Sequence, residues 1–264
     1  MREIALAVGV QNKNIIDFLH SQIKSKFDFC KTIISTYCDK NFCYLLFACD
    51  EATSNTCEKI LREAIIEYIE NIYKIAFLKE RVKMPIKDSL AFNAYIKVLS
   101  VFDKSVDLGA LESIILFNDT FFVDSFLEFR LSPLKAHWKN LANLSCDNIS
   151  LFNSSTFIDI IKYLINSMDN EVYKVKIVCD DNGIYKLYNI KNKNDRVKKI
   201  ADCSDSVDMI SNVLNYCPCY IDIYLSTNKE NEAVSFLSNV FANRLKIYSM
   251  SWQNHKFSVK INKN

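Results

Sequence analysis

Glycine and histidine are both scarce in this chain of 264 residues, which contains three of each. Gly9, Gly109 and Gly183 lie too far apart to form a P-loop or a dinucleotide-binding loop, where several glycines let the backbone approach phosphate groups. The histidines are equally scattered, and none belongs to the HExxH helix that binds zinc in metalloproteases. The sequence therefore excludes these nucleotide-binding and metalloprotease fingerprints.

Long apolar runs are also missing. The first run, Ile4–Val10, has seven residues, whereas a bilayer span needs about 20 and a signal-peptide core must be followed by a cleavage site. No later run is long enough either. The net charge of +2 is too balanced to imply nucleic acid or an acidic membrane by itself. We expect a soluble, cytoplasmic protein with no membrane span.

Cysteine, in contrast, is common, with ten residues. The chain is long and lacks a signal peptide, so we expect free thiols that pack as small apolar groups, as at Cys30, Cys43, Cys49 and Cys179. The closest pair, Cys217-Pro218-Cys219, has one intervening residue, whereas metal-binding pairs usually have about two to four. A three-thiol site with Cys203 would require the loops to converge. We predict no metal site.

The chain has few histidines that could act as a general acid or base in catalysis. His137, next to Trp138 in a helical pattern, is predicted to lie at the surface or at the edge of the core. Ser–His and Cys–His pairs form in space rather than in sequence, so a hydrolase stays as a third alternative. The sequence itself indicates no catalytic residue and no cofactor.

The order of apolar patterns predicts an α+β fold in three segments. Residues 1–52 form a small βαββ unit, residues 53–168 a helical middle, and residues 169–264 a mixed sheet with helices. In the first segment the strands are Glu3–Val10, Phe29–Tyr37 and Phe42–Cys49, and the helix carries Ile15, Ile16, Leu19 and Ile23 at helical spacing.

In the middle and last segments, helix-capping residues and turn residues mark the ends of the predicted helices and strands. A long helix begins at Ser54, and Asp107 is the predicted N-cap of a helix over Leu108–Phe117. Residues 180–183 (DDNG) form a predicted hairpin turn. Tyr220–Leu225, Lys229–Ala242 and Arg244–Tyr248 then form a strand, a helix and a strand, which predicts a βαβ crossover with a parallel pair.

The stretch Phe121–Leu144 joins the helical middle to the tail. Phe122, Phe126 and Phe129 recur at helical spacing, which predicts a buried aromatic ridge on two helices, or on one helix kinked near Pro133. Arg130 is expected to be a partly buried structural ion pair or carbonyl clamp. The alternative for Arg130 is an anchor for an anion or a partner.

Two segments concentrate positive charge. The denser one comprises Lys191, Lys193, Arg196, Lys198 and Lys199. A second lies at 79–87 and comprises Lys79, Arg81, Lys83 and Lys87. Each is interpreted first as a solvated segment and alternatively as a patch that contacts phosphate groups.

Three stretches resemble a known family. They are FLEFRL (Phe126–Leu131), FIDIIKYLINSMDNEVYKVKIVCDDNGIYKLYN (Phe157–Asn189) and NRLKIY (Asn243–Tyr248). Together they are similar to the YtxC-like family of sporulation proteins from endospore-forming Firmicutes. In that family the helix continues after its Phe-Arg core, whereas Pro133 interrupts it here. The resemblance implies an association with sporulation and supplies no biochemical activity.

The leading functional prediction is a non-enzymatic, sporulation-associated cytoplasmic protein that binds an unknown protein partner. The alternative is a nucleic-acid or phosphate-binding protein that uses the basic segments 79–87 and 191–199. Nucleic-acid-binding domains usually carry more net positive charge than this chain does, which favours the first prediction.

Overall fold

The computed structural model describes residues 1–24, 26, 32–82, 89–146, 154–180, 183–225, 232–253 and 256–261. The strands are β1 (Arg2–Gly9), β2 (Thr32–Cys38), β3 (Phe42–Cys49), β4 (Thr120–Phe122), β5 (Lys174–Cys179), β6 (Tyr185–Ile190), β7 (Lys198–Cys203), β8 (Tyr220–Leu225), β9 (Leu245–Gln253) and β10 (Lys256–Ile261). The helices are α1 (Lys13–Lys24), α2 (Ser54–Tyr68), α3 (Lys74–Arg81), α4 (Leu90–Phe102), α5 (Lys104–Ile114), α6 (Val123–Ser125), α7 (Ser132–Cys146), α8 (Ser154–Ser167), α9 (Ser206–Tyr216) and α10 (Glu232–Phe241). The predicted α+β class is confirmed.

The chain forms two compact units. Unit 1 comprises residues 1–82 and 103–145, and unit 2 comprises residues 83–102 and 146–264. The helices of the predicted middle segment, 53–168, are shared between the two units. The division of the chain at 52 and 168 stays a prediction.

Unit 1 is built on a four-stranded sheet in the order β2-β3-β1-β4. β1 and β2 run antiparallel to β3, as the predicted βαββ unit requires, and β4 joins β1 in parallel. Ile4, Leu6 and Val8 of β1 are buried on the face that α1 covers. Alternate residues of each strand therefore lie on the opposite face, because successive side chains of a strand point to opposite sides.

Unit 2 is built on a six-stranded sheet in the order β10-β9-β8-β5-β6-β7. β5, β8 and β9 are parallel, and the β8–α10–β9 crossover confirms the predicted βαβ unit. The hairpin between β5 and β6 is also confirmed: Gly183 adopts a φ of 78°, which glycine permits without strain. Asp181 and Asn182 of that turn lie outside the described residues.

The prediction of a buried aromatic ridge around Arg130 is wrong. Phe122 belongs to strand β4, Phe129 is 67% exposed, and Arg130 is exposed. Only Phe126 of the three phenylalanines is buried, with its ring centroid 5.1 Å from that of Phe121. Phe126–Arg130 form a π-helical turn. Such a turn has i→i+5 hydrogen bonds, so the side chains no longer repeat every 3.6 residues along one helix face.

Two further expectations are corrected. Asp107 does not cap a helix; it lies in the first turn of α5, which begins at Lys104, and its side chain is fully buried. Cys43 is not a free thiol, because it forms a disulfide with Cys38, and Cys30 lies outside the described residues. Cys38 and Cys43 are directly opposite each other where β2 and β3 meet at their hairpin, so their sulfur atoms are brought together.

Candidate binding surfaces

The face of the unit 1 sheet opposite α1 carries exposed apolar side chains, and we call it outer face A. It consists of Glu3, Ala5 and Ala7 of β1, Ile33, Ser35 and Tyr37 of β2, Phe42, Tyr44, Leu46 and Ala48 of β3, and Thr120 and Phe122 of β4. Ile33 is 70% exposed and Tyr37 is 59% exposed. Leu46 and Phe122 are exposed by 40% and 45%. Among the described side chains of this face only Glu3 carries a charge, which is a small share for side chains in contact with water.

Aromatic rings cross outer face A in a continuous row. Tyr37 and Tyr44 stack with their centroids 6.2 Å apart, and Phe42 lies 6.2 Å from Tyr44. Phe42 in turn meets Phe122 edge to face at 5.8 Å. Rings held against one another lose little further freedom when a partner covers them, so the row is a rigid apolar strip.

An open cleft of about 570 Å³ lies beside this row. Ile33, Leu46 and Ala48 contribute apolar side chains to it, and Arg2 and Asp119 are at its rim. Arg2 is already engaged, with Nε 3.3 Å from Glu58 Oε1 and Nη1 3.3 Å from Asp119 Oδ1. These two rim charges offset one another, whereas Glu3, which also lines the cleft, forms no ion pair with another described residue. The cleft is therefore mainly apolar with one acidic group.

Strand β2 forms one end of this sheet. Among the residues that the structure describes, Ile33–Cys38 pair with β3 on one side only. The strand contains no charged residue and no proline. Exposed edge strands usually carry such residues, because an unprotected edge pairs with other extended chains.

The predicted binding residues all lie at the surface. Arg130 is exposed in its π-helical turn, and its side chain makes no ion pair or hydrogen bond with another described residue. All of 191–199 is exposed as well. Within it, Lys199 Nζ lies 2.7 Å from Asp202 Oδ2. The described part of the chain offers no acidic partner to the remaining four, Lys191, Lys193, Arg196 and Lys198.

The other basic segment is described only in part. Lys79 is exposed on α3 of unit 1. The guanidinium carbon of Arg81 lies 3.5 Å from the ring centroid of Phe77, so this cation is held against its own helix. Lys83 and Lys87 lie outside the described residues. Whether 79–87 and 191–199 act together stays a prediction.

Unit 1 also contains a charged cluster that the sequence did not predict. Lys74 and Asp107 are fully buried and form an ion pair, and Trp138 Nε1 donates a hydrogen bond to Asp107 Oδ2 at 2.9 Å. Glu70, 6% exposed, places Oε2 at 3.7 Å from Lys74 Nζ. Glu70 Oε1 and Asp107 Oδ1 have no hydrogen-bond partner among the described residues. Burial raises the pKa of Glu70 to about 7.

This buried cluster is a polar part of the core of unit 1. None of its four side chains lines the cleft on outer face A. Glu70 lies in a π-helical turn, Ile69–Tyr73, between α2 and α3. A signal was present in the sequence: Glu70 and Lys74 are four residues apart within an apolar helical stripe, and charges at that spacing form intrahelical pairs.

The cysteines and histidines of the described residues are the next candidates for reactive chemistry. The described ranges contain no group of three potential metal ligands among His, Cys, Asp and Glu, so the three-thiol hypothesis for Cys203, Cys217 and Cys219 is wrong. Burial raises the pKa of Cys203 to about 12 and that of Cys217 to about 11, which keeps both thiols protonated. His137 lies at the surface as predicted, with Nε2 3.0 Å from Asp103 Oδ2.

Fold and surfaces together define a class: an α+β protein of two sheet-based units, with no membrane-crossing helix in the described part of the chain. The model of the YtxC-like family matches residues 20–246. The chain therefore belongs to the YtxC-like family. Searches of the curated proteins and of the solved structures found no significant match.

Proposed function

We propose that this chain is a non-enzymatic protein that binds a protein partner in the cytoplasm of sporulating cells, and that the partner docks on outer face A and the β2 edge. Membership of the YtxC-like family supports the link to sporulation. The observation that carries the docking site is the exposure of Ile33, Tyr37, Leu46 and Phe122 on one sheet face. Contiguous exposed apolar side chains mark interaction sites more often than they mark ordinary surface.

The occupant that fits this surface is an extended, uncharged segment of a partner protein. Such a segment adds to a sheet edge through main-chain hydrogen bonds, and alternate side chains then lie on the sheet face. Strand β2 offers neutral groups throughout. A charged partner strand would lose hydration there without gaining an ion pair, so charge complementarity favours a neutral one.

The direct test is site-specific photo-cross-linking in sporulating cells of the native host. A photo-reactive amino acid replaces Tyr37 on outer face A, and in a matched control it replaces Tyr163 of α8, which is 71% exposed. We expect one discrete cross-linked product from position 37 and none of the same mass from position 163. The same product from both positions would contradict docking on outer face A.

A genetic test separates the docking site from the sporulation role. A deletion strain is complemented with Ile33→Lys/Tyr37→Lys or with the control Val106→Lys/Tyr163→Lys, whose positions are also exposed. We expect heat-resistant spores to fall at least about tenfold with the first variant only, because two charges on an apolar docking face oppose association. Normal spore yield after deletion would overturn the sporulation role, and normal yield with the first variant would overturn the docking site.

The second candidate function is nucleic-acid or phosphate binding through 191–199 and 79–87. The exposure of Lys191, Lys193, Arg196 and Lys198 without acidic partners in the described part of the chain supports it. A labelled single strand mixed with the protein at low salt tests it by gel shift, because phosphate contacts weaken as salt rises. Absence of a shift at low salt would rule it out.

A further inference from the structure

The sheet of unit 2 also has a face opposite its helices, and this face is rich in lysine and tyrosine. Val175, Ile177, Ile221 and Ile223 are buried on the helix-covered side, where α9 and α10 contact the sheet. The strand register places one row of residues straight across the other side. We call this row outer face B: Lys199, Tyr188, Lys176, Asp222 and Lys246, from β7, β6, β5, β8 and β9.

Two lysines of this row are electrostatically available. Asp222 is neutralised by Lys174, whose Nζ lies 2.8 Å from Asp222 Oδ2. Lys176 and Lys246 form no ion pair with the residues that the structure describes. They lie two strands apart, and neighbouring strands are about 4.8 Å apart, so their backbone positions are about 10 Å from each other. The row therefore presents separated positive charges along a flat surface.

Tyrosines stand next to these charges. Tyr188 lies between Lys199 and Lys176 in the row. Tyr224 and Tyr248 lie on the same face, two residues beyond Asp222 in β8 and Lys246 in β9. Their rings stack with centroids 4.9 Å apart and planes 13° from parallel. Aromatic rings beside cations are the two components of single-strand binding sites, where bases stack on rings and phosphates contact lysines.

We infer that outer face B, continued by the basic loop 191–199, binds single-stranded nucleic acid, with Lys176 and Lys246 contacting phosphates and Tyr188 stacking on a base. This inference rests on the second candidate function and assigns its substrate class and its main surface. A single strand fits better than a duplex, because the bases of a duplex are already stacked on one another and cannot reach Tyr188.

The experiment measures fluorescence anisotropy with a labelled oligothymidine of about 20 nucleotides, and with a duplex of the same length, at about 50 and 200 mM NaCl. Lys176→Glu/Lys246→Glu is compared with Lys59→Glu/Lys139→Glu. The control makes the same charge change at two exposed lysines on α2 and α7 of unit 1. We expect the first variant to weaken single-strand binding about tenfold or more, and the control to change it less than about threefold, because only the first removes phosphate contacts.

A second variant separates stacking from charge. Tyr188→Leu keeps every lysine and removes the ring, so we expect single-strand affinity to fall at least about fivefold, with the salt dependence unchanged. Circular dichroism of each variant confirms that the fold is retained. Tyr188→Leu with wild-type affinity would overturn the stacking role, and equal affinity for the duplex would overturn the single-strand assignment.

The remaining outcomes separate the inference from the function on which it rests. No binding by the wild-type chain at about 50 mM NaCl would overturn both. Binding that is lost in Lys191→Glu/Lys193→Glu but retained in Lys176→Glu/Lys246→Glu would overturn outer face B and leave the second candidate function standing. Binding weakened by both variants supports the continuous surface.

Discussion

The two units differ in the charges that the open faces of their sheets carry. Unit 1 buries Lys74, Asp107 and Glu70 in its interior and carries one described charged residue, Glu3, on the mainly apolar outer face A. Unit 2 carries Lys176 and Lys246 on its own uncovered sheet face. Both units pack helices on one side of a sheet, so the difference lies in side-chain chemistry and not in architecture. The sheet architecture by itself does not favour one class of partner. The side chains on the open face determine whether a neutral strand or a polyanion binds there.

The same contrast exists between two Lys–Asp pairs. The Lys74–Asp107 pair is 0% exposed at both side chains, whereas Lys174 and Asp222 are 25% and 7% exposed. Removing one member of a buried pair leaves the other charge without solvent and without its partner. The second pair is only partly buried, because Lys174 reaches solvent, and Lys176 and Lys246 lie beside Asp222 in the strand register, so neighbouring charges compensate in part when Lys174 is removed. The two pairs should therefore differ strongly in how much they matter to stability.

The largest expected effect comes from breaking the buried pair. Lys74→Met should lower the free energy of unfolding of unit 1 by about 3–5 kcal/mol, because the Asp107 carboxylate is left unpaired in the core. Urea unfolding followed by Trp138 fluorescence in a Trp252→Phe background measures it, since Trp138 lies in unit 1. Lys74→Met/Asp107→Leu should recover part of the loss.

The partly buried pair provides the comparison variant. Lys174→Met should lower the stability of unit 2 by about 1–2 kcal/mol, because Lys176 and Lys246 flank Asp222 on neighbouring strands and replace part of the lost attraction. Urea unfolding followed by circular dichroism measures this variant. Equal losses for Lys74→Met and Lys174→Met would refute the contrast between the two pairs.

The next effect is a pH dependence that belongs to unit 1. The pKa of Glu70 is about 7 in the folded chain against an ordinary value of 4.5. The folded state thus favours the protonated carboxyl. The resulting contribution of Glu70 to the free energy of unfolding is fully present below about pH 4.5 and is lost as the pH rises through about 7. Glu70→Gln should match the wild type near pH 4.5 and exceed its stability by about 3 kcal/mol near pH 8.

The matched control for this titration is Glu67→Gln. Glu67 is 39% exposed and lies 3.9 Å from Lys26 Nζ. Its replacement should change stability by less than about 0.5 kcal/mol at either pH. A Glu70→Gln difference that stays constant between the two pH values would show that Glu70 does not titrate with folding.

The smallest expected effect is on outer face A. Ile33→Thr should change the stability of unit 1 by less than about 0.5 kcal/mol, because the side chain is 70% exposed and threonine keeps the β-branched shape. Urea unfolding of the same kind measures this. A loss of more than about 2 kcal/mol would show that Ile33 serves folding and would weaken the proposal that it serves a partner.

The fold could be predicted where local patterns determine it. The alternation of β1, the apolar stripe of α1 and the β8–α10–β9 succession each occupy one continuous stretch, and all three are confirmed. Strand β4 was missed because it has only three residues, Thr120–Phe122. Its pairing with β1 is a contact between distant parts of the chain, and a strand of that length leaves no periodic signal.

The candidate sites were harder to predict, for identifiable reasons. Arg130 was expected to be partly buried because the prediction assumed a regular α-helix through Phe126–Arg130. The structure has a π-helical turn there, which the periodicity of the sequence does not reveal. Asp107 has a typical N-cap residue type, but its partners Lys74 and Trp138 come from other helices. The basic loop 191–199 was identified from composition, whereas Lys176 and Lys246 join it only through strand register.

By itself, the sequence determined the fold class, the family and the absence of glycine-based phosphate loops, because each of these depends on residue types and on spacing along one stretch. Tertiary structure alone decided which charges are buried and which side chains share an uncovered face. Strand pairing and helix packing bring together residues that are far apart in the chain, and the free energy of a charge depends on those neighbours and on its access to water.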